Sequence, residues 1–588
     1  MSNEKKLKVK INGILTEVPQ GSTILDAAVA AGVRIPTLCY LRDINAIGSC
    51  RMCLCEVKGA RAWCAACVHP VEENRDGSPM EVLTNTPQIV EARRKTLELI
   101  LSNHRSDCLS CVRNTECELQ NLCSEYGVDQ YKYSKTAPAP DIDDSAVHLV
   151  RDNSKCILCR RCTAVCRKNQ FVGVIGPNER GYDTHISSAF DEPLASTACV
   201  NCGQCIAVCP TGALSEKDET DKAWAAINDP AKHVVVAPAP SVRVQLGEMF
   251  GMPIGVNVQG KMIAALRRMG FDRVFDIDTA ADLTIMEEGT ELMDRLKNGG
   301  KLPMITSCSP GWVKFCEIYY PEFIENLSSC KSPQGMFGAI AKTYYAEKAG
   351  IDPKDIFVVS IMPCTAKKFE GQRPELGRDG VPDIDVSLTT RELANMIKRA
   401  GIEFTALPDE DADPVFGIAS GAGHIFGVTG GVMEAALRTV VEVLTGKSLE
   451  KIEFEGVRGV EAIKEAEYDV NGIKVRAAVT SGLTNAAKLL DMVKSGEKDY
   501  TFIEVMCCPG GCVNGGGQPY QPGYIRNNID LRAERAKALY SLDEGMTMRK
   551  SHENPDIKEI YDSFLGGPNS HKAHELLHTK YQKRDIQK

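Results

Sequence analysis

Two copies of one cysteine run constrain this chain more than anything else in it. Cys156-x2-Cys159-x2-Cys162-x3-Cys166 recurs as Cys199-x2-Cys202-x2-Cys205-x3-Cys209, closed by Pro210. Thiols two residues apart suit a shared metal cluster better than bridges to one another. This spacing holds a pair of [4Fe–4S] cubanes, with each fourth cysteine ligating the other cluster. Cys156, Cys159, Cys162 and Cys209 are therefore expected to hold one cubane, and Cys199, Cys202, Cys205 and Cys166 the other. Zinc also binds paired Cys-x2-Cys tetrahedrally, but two complete four-cysteine runs ending in proline argue against it.

The remaining cysteines extend the theme. Of 25 cysteines in 588 residues, eighteen precede residue 210. A disulfide scaffold is normally a small secreted domain, and this chain is long enough for two to four domains. Hydrophobic content of 43% and charge of 25% are those of a globular protein. A net charge of -9 argues against nucleic acid or an anionic membrane surface as partner. No run approaches the roughly 18 apolar residues that span a bilayer. The start, Met1-Ser2-Asn3-Glu4-Lys5-Lys6-Leu7, has neither an apolar signal region nor twin arginines. A cytoplasmic location without membrane contact is the expectation.

Residues 7–20 alternate around Asn12-Gly13, a hairpin signal, and Thr23 to Ala31 reads as a capped helix. Cys39, Cys50, Cys53 and Cys67 follow, a variant of the plant-type [2Fe–2S] spacing, with Cys55 and Cys64 close by. A helical stretch from Gln88 to Leu101 delivers His104, Cys108, Cys111 and Cys117. Three thiols leave a cubane one ligand short, and either His104 or Cys123 could supply it. Lys135 to Asp144 reads as a linker. The expected domains are 1–84, 85–134, 145–215 and 216–588.

Beyond about residue 215 the pattern becomes α/β, with buried parallel or mixed sheet under helices. Three stretches set cysteines in turns after apolar runs: Thr306-Ser307-Cys308-Ser309-Pro310-Gly311-Trp312, Met362-Pro363-Cys364-Thr365-Ala366-Lys367-Lys368 and Glu504-Val505-Met506-Cys507-Cys508-Pro509-Gly510-Gly511-Cys512. A strand end followed by a tight turn can point a thiolate rigidly into a cavity. Cys316 and Cys330, outside the three stretches, read as packing residues.

Together the three stretches resemble the active-site signatures of the [FeFe]-hydrogenases, and the resemblance covers nearly the whole chain. The N-terminal third also resembles the largest iron–sulfur subunit of complex I. The resemblance implies a multidomain α/β protein. Its parts would be a β-grasp ferredoxin-like [2Fe–2S] domain, a one-histidine/three-cysteine [4Fe–4S] domain, a two-cluster bacterial ferredoxin domain and a large catalytic domain with a small-subunit-like tail. It favours Cys67 over Cys55 and Cys64 in the first cluster, and His104 over Cys123 in the second. It implies one [2Fe–2S] cluster, three accessory [4Fe–4S] clusters and an H-cluster, a cubane bridged to a di-iron unit carrying CO, CN⁻ and a dithiolate.

Carried over residue by residue, Cys364, Cys508 and Cys512 match cubane ligands, with Cys512 bridging to the di-iron unit. Lys367 matches the donor to one cyanide, and Pro240-Ser241 surround the other. Gln334, Met362, Phe426 and Met506 match the pocket lining. The proton route of the family matches Cys308, Glu288, Glu291, Ser328 and Arg295. Glu288, Glu291 and Arg295 share one helical face. The first stretch departs from the family's Thr-Ser-Cys-Cys-Pro-Gly-Trp, with Ser309 in place of the cubane cysteine. Cys308 could ligate instead, Ser309 could ligate or leave an iron open, or Cys507, where alanine is usual, could compensate.

The resemblance implies reversible conversion of protons and electrons to H₂, wired to a ferredoxin-type carrier or to flavoprotein or iron–sulfur partner subunits. No Gly-x-Gly-x-x-Gly follows a strand pattern, so in an NAD(P)-linked or electron-bifurcating complex the nucleotide would sit on another subunit. A pure electron conduit and a redox sensor or assembly factor on the same fold are the alternatives outside catalysis.

Overall fold

The computed structural model describes residues 5–128, 133, 139–446, 452–459, 462–470 and 473–585. Its first sheet has the order β2-β1-β5-β3-β4, from β1 (Lys6–Ile11), β2 (Ile14–Pro19), β3 (Leu54–Val57), β4 (Cys64–Ala65) and β5 (Met80–Leu83). Asn12 and Gly13 turn β1 into β2 at φ 49° and 88°, the left-handed pair that a two-residue hairpin of this twist requires. The helix Ile24–Ala30 starts at a capping box, with Thr23 and Asp26 satisfying each other's backbone N–H. It closes the apolar face of the sheet over Val9, Ile11 and Val82.

The cysteine-run domain carries a small sheet of β6 (Ile142–Asp143), β7 (Leu149–Asp152) and β10 (Leu214–Glu216), and a hairpin of β8 (Gly176–Asn178) and β9 (His185–Ser187). The expected linker Lys135–Asp144 is partly corrected. Residues 135–138 lie outside the described residues, but Ile142 and Asp143 pair antiparallel with Asp152 and Arg151. The Asp143 carboxylate anchors this edge by accepting from Ser145 at 3.1 Å, Arg151 at 3.0 Å and Leu194 at 3.0 Å. Aspartates that looked like linker composition are turn and edge anchors.

The catalytic part is built on two sheets. One is parallel, with order β12-β11-β14-β17, from β11 (His233–Pro238), β12 (Arg273–Val274), β14 (Ile356–Met362) and β17 (Val386–Thr389). The other, β13-β20-β19-β18, combines β13 (Met304–Ile305), β18 (Ile463–Val470), β19 (Ile473–Ser481) and β20 (Phe502–Met506), with only β18 and β19 antiparallel. A minor hairpin pairs β15 (Gly377–Arg378) with β16 (Val381–Pro382). All five residues of β20, and five of the six in β11, are buried, as expected of strands covered on both faces.

The carboxyl ends of β11, β13, β14 and β20 run into Pro240-Ser241 and the three cysteine-bearing turns. Crevices at the carboxyl ends of parallel strands are where such sheets bind ligands. The helix Ile277–Asn298 passes beside this crevice and packs on the helices Pro333–Ile340 and Gly431–Thr445. The C-terminal segment closes over it. Asn554 donates to Asp282 at 2.8 Å, Tyr561 donates to Glu287, and Arg584 pairs with Glu317 at 2.7 Å.

Candidate metal centres and active site

In the loops around the N-terminal sheet, Cys39, Cys53 and Cys67 are almost fully buried. Cys39 accepts from the Cys50 N–H at 3.5 Å, and Cys53 donates to Cys67 at 3.3 Å between sulfurs. Cys55 and Cys64 instead face one another at 3.3 Å across β3 and β4. Register thus separates two sulfur sets that sequence spacing leaves mixed.

His104 follows the helix Pro87–Leu101 and is buried, with Nδ1 lacking a hydrogen-bond partner among the described residues. Burial pushes it down to about 4, so the ring is neutral and can serve as a ligand. Cys123 packs with Leu97, Leu101 and Leu122 on the helix Glu118–Glu125. Cys111 and Cys117 lie against the end of the second four-cysteine run. A Cβ on Gly212 would meet the Cys111 sulfur at 2.5 Å, and Cys117 donates to the Pro210 carbonyl at 3.6 Å.

Cys156, Cys159, Cys162 and Cys209 line one cavity of about 400 Å³, and Cys166, Cys199, Cys202 and Cys205 line a second of about 500 Å³. The fourth cysteine of each run therefore lies with the other run. The second cavity abuts the catalytic part through glycines. A Cβ on Gly203 would fall 2.4 Å from Thr365 Oγ1, and one on Gly516 would fall 2.2 Å from the Cys202 carbonyl.

The third cavity is larger, about 760 Å³. It is lined by Pro240, Ser241, Cys308, Ser309, Gln334, Met362, Cys364, Lys367, Phe426, Met506, Cys507, Cys508 and Cys512, so all three cysteine-bearing turns converge on it. A cavity lined by several thiols and an ammonium has the donor set for a cubane joined to an anionic second unit. Lys367 is held by Ser332 at 2.7 Å, Glu370 at 2.8 Å and the Cys308 carbonyl at 3.2 Å. Its counter-ion thus comes from the same short helix, Ala366–Glu370. Gln518 orients Ser241 by donating to its hydroxyl at 3.1 Å.

Cys308 and Cys507 both line this cavity but pack into different clusters. Cys308 packs near Ala281, Ile285 and Phe426, and the charges acting on it are those of Glu288, Lys367, Glu504 and Cys512. Cys507 packs with Val200, Cys202 and Trp312 and has its sulfur against those of Cys202 and Cys508.

Glu288 is 1% exposed, with Oε2 unpartnered among the described residues. Burial first, and then the Glu291 charge, push it up to about 8, while a hydrogen bond with Ser328 opposes the rise. Ser328 donates to Glu291 at 3.0 Å, and Arg295 pairs with Glu291 at 2.6 Å. Of the five residues matched to a proton route, Glu288, Ser328, Glu291 and Arg295 therefore form one connected cluster, and the Glu288 charge acts on Cys308 at the cavity.

Family profiles match in the same order as the geometry. A 2Fe-2S iron–sulfur cluster binding domain matches residues 4–86, an NADH-ubiquinone oxidoreductase-G iron–sulfur binding region 93–131, and a 4Fe-4S dicluster domain 150–213. The C-terminal domain of the iron-only hydrogenase large subunit matches 232–516, and the iron hydrogenase small subunit matches 529–584. An NADP-reducing hydrogenase subunit from Solidesulfovibrio fructosivorans is 49% identical over 98% of this chain and 99% of its own. The chain belongs to the [FeFe]-hydrogenases.

Iron hydrogenase 1 of Clostridium pasteurianum is 44% identical over 97% of this chain and 99% of its own. A solved apo [FeFe]-hydrogenase variant from Chlamydomonas reinhardtii is 44% identical, with a TM-score of 0.56, covering 62% of this chain and 99% of that one. As a hydrogenase the chain interconverts protons and H₂, carries [2Fe–2S] and [4Fe–4S] clusters and an H-cluster, and exchanges electrons with carrier partners. Among the described residues no helix is long and apolar enough to cross a membrane.

Sequence reasoning passed over three features of this hydrogenase site. Glu370 pairs with Lys367, and its i+3 spacing was a usable signal. Cys330 packs in the core as expected, and its sulfur also points to Glu291 at 3.6 Å. His578, from the C-terminal segment, reaches the same place, and no local spacing links it to residues nearly 300 positions earlier.

Proposed function

We propose that the H-cluster sits in the 760 Å³ cavity and that three accessory cubanes and one [2Fe–2S] cluster form a single electron path to it. Cys39, Cys50, Cys53 and Cys67 would hold the [2Fe–2S] cluster, and His104, Cys108, Cys111 and Cys117 the first cubane. The two interleaved cysteine sets would hold the next pair. Bound in the cavity, the H-cluster supplies the iron at which the H–H bond is made and broken.

The chain's own residues do the rest. Cys364, Cys508 and Cys512 ligate the cubane, with Cys507 as the fourth thiolate. Thiolate is a softer and better iron ligand than the Ser309 hydroxyl. Cys507 lies on the side of the incoming electrons, which leaves Cys308 free on the proton side. Lys367 and Ser241 donate to the anionic unit. Met362, Met506 and Phe426 keep water out. Protons pass between Cys308, Glu288, Ser328 and Glu291. The single observation that carries this reading is the convergence of the three cysteine-bearing turns on one cavity, between the neighbouring cubane site and the buried glutamates.

The physiological setting we infer is a cytoplasmic enzyme that takes electrons from a ferredoxin-type carrier or a partner subunit. A second setting, the H₂-activating subunit of an NAD(P)-linked complex, is favoured by the full-length likeness to an NADP-reducing subunit together with the lack of a dinucleotide fingerprint. Infrared spectra of anaerobically matured protein should show iron-bound CO and CN⁻ bands alongside H₂ evolution from reduced viologen. Failure to show these bands after competent maturation overturns the site reading. NAD(P)H oxidation by the isolated chain would overturn the second setting.

A further inference from the structure

At the outer end of the route from Cys308 to Glu291 stands Arg295, which cannot act as a proton donor. Arg295 pairs with Glu291 at 2.6 Å and also donates to the carbonyls of Lys301, Asn326 and Leu327. A guanidinium does not give up its proton in a protein. Arg295 therefore fixes Glu291 but cannot load it with a proton.

The other side of Glu291 meets the C-terminal segment. A carboxylate oxygen of Glu291, the Cys330 sulfur and a ring nitrogen of His578 all lie within 4.8 Å of one another. Cys330 and His578 form a backbone bridge, which sets the imidazole in place. His578 Nδ1 lies 2.8 Å from Ser329 Oγ, and Nε2 lies 3.0 Å from Glu287 Oε2. Ser329 in turn donates its N–H to Glu291 at 3.1 Å. The His578 ring centroid is 4.1 Å from that of His574, which is exposed. Two imidazoles thus lead from solvent to the last carboxylate of the route. Imidazole is the side chain that takes up and releases protons near neutral pH.

We propose that His578, supplied by His574, is the proton carrier between solvent and Glu291, so that the C-terminal segment completes the proton route. This rests on the reading of Glu288, Ser328 and Glu291 as that route. In H₂ evolution the N–H bond of protonated His578 breaks as an O–H bond forms on one bridging water, which passes a proton of its own to Glu291 across the gap of up to 4.8 Å, and the neutral ring regains its proton from solvent through His574. H₂ oxidation runs the same transfers backwards, and no electrons move. The groups facing this pair are Glu287 and Glu291 from the helix Ile277–Asn298, with Arg295 behind Glu291, the Cys330 thiol and the Tyr561 hydroxyl on Glu287. Asp294 acts on His574 from the same helix.

The test compares His578→Gln and His578→Ala in the matured full chain. Glutamine keeps a donor and an acceptor but does not titrate, so a merely structural role survives in it. We expect H₂ evolution with saturating reduced viologen to fall about tenfold in both, less than the roughly 10²–10⁴ of a group that transfers protons in the transition state, because water keeps a slower path. The infrared bands should stay unchanged, and added imidazole should restore the alanine variant. Unaltered turnover in His578→Gln overturns the proposal, as does a loss in His578→Ala that imidazole does not restore. A Glu288→Gln control with full activity would instead place the failure in the inner route itself.

Discussion

Ser309 Oγ accepts the backbone N–H of Cys507 at 3.2 Å. The hydroxyl standing at the family's cubane position is thus tied to the neighbouring turn, whose thiol lines the same cavity. On the proposed assignment, a thiolate supplied from Cys507 and a relaying thiol at Cys308 would separate two roles that adjacent cysteines usually share. Cys507→Ala should lose the iron of one cubane and its paramagnetic signal, whereas Ser309→Ala should keep both. Adding Ser309→Cys to Cys507→Ala should restore the cubane. Iron analysis and electron paramagnetic resonance decide it. Full iron in Cys507→Ala, or a lost cubane in Ser309→Ala, reverses the assignment.

On the proposed proton route, Glu288 would set the pH limit. It is pushed up to about 8, chiefly by burial, so it is protonated below that value and loses its proton above it. H₂ evolution should fall as pH rises through about 8. The folded carboxyl holds a proton that the unfolded chain has already released, so its contribution to stability is full below the unfolded value and is lost as pH rises toward 8. Glu288→Gln should flatten that slope while cutting turnover by roughly 10²–10⁴. Denaturation at several pH values and turnover measured together check both halves. A variant with normal turnover contradicts the route.

Much of this was legible from short-range pattern. Cysteine spacing located the cluster sites, and apolar runs ending in turns located β13, β14 and β20 with their thiols. Helical periodicity placed Glu288, Glu291 and Arg295 on one face. What spacing did not carry was long-range. The sides on which Cys308 and Cys507 lie depend on which domain packs against each. The approach of His578 to Cys330 depends on a bridge between segments nearly 250 residues apart. Ile142 and Asp143 looked like linker because a two-residue edge strand has no periodicity of its own.

Lys367 and Glu370 form a buried ion pair at 2.8 Å, and Glu370 also accepts from Ser332 and Gln334. Lys367→Met removes the donor to the anionic unit and leaves Glu370 with neutral partners only. The di-iron infrared bands should disappear while cubane iron remains. Stability should fall by about 3 kcal/mol, the low end for breaking a buried pair, because two neutral donors remain. Glu370→Gln should retain the bands with shifted frequencies. Retained, unshifted bands in Lys367→Met would show that the lysine does not face the di-iron unit.

At Gly516 the cluster-bearing loop and the catalytic part are in tight contact. A Cβ there would lie 2.2 Å from the Cys202 carbonyl and 2.6 Å from the Gly203 Cα, both rigid backbone. The contact is fixed on either side by Gln204 donating to the Asn514 carbonyl at 2.7 Å and Thr365 donating to the Asn201 carbonyl at 2.7 Å. Gly516→Ala must therefore push the Cys202 loop away from the Cys507 turn, at an overpacking cost of about 1–3 kcal/mol. Electron transfer depends on this separation, but H/D exchange between H₂ and D₂O needs no external electrons. Carrier-driven H₂ evolution should fall in this variant while exchange persists. Equal loss of both activities would mean that the substitution damages the cavity itself, and loss of neither would mean that electrons do not enter beside Cys202.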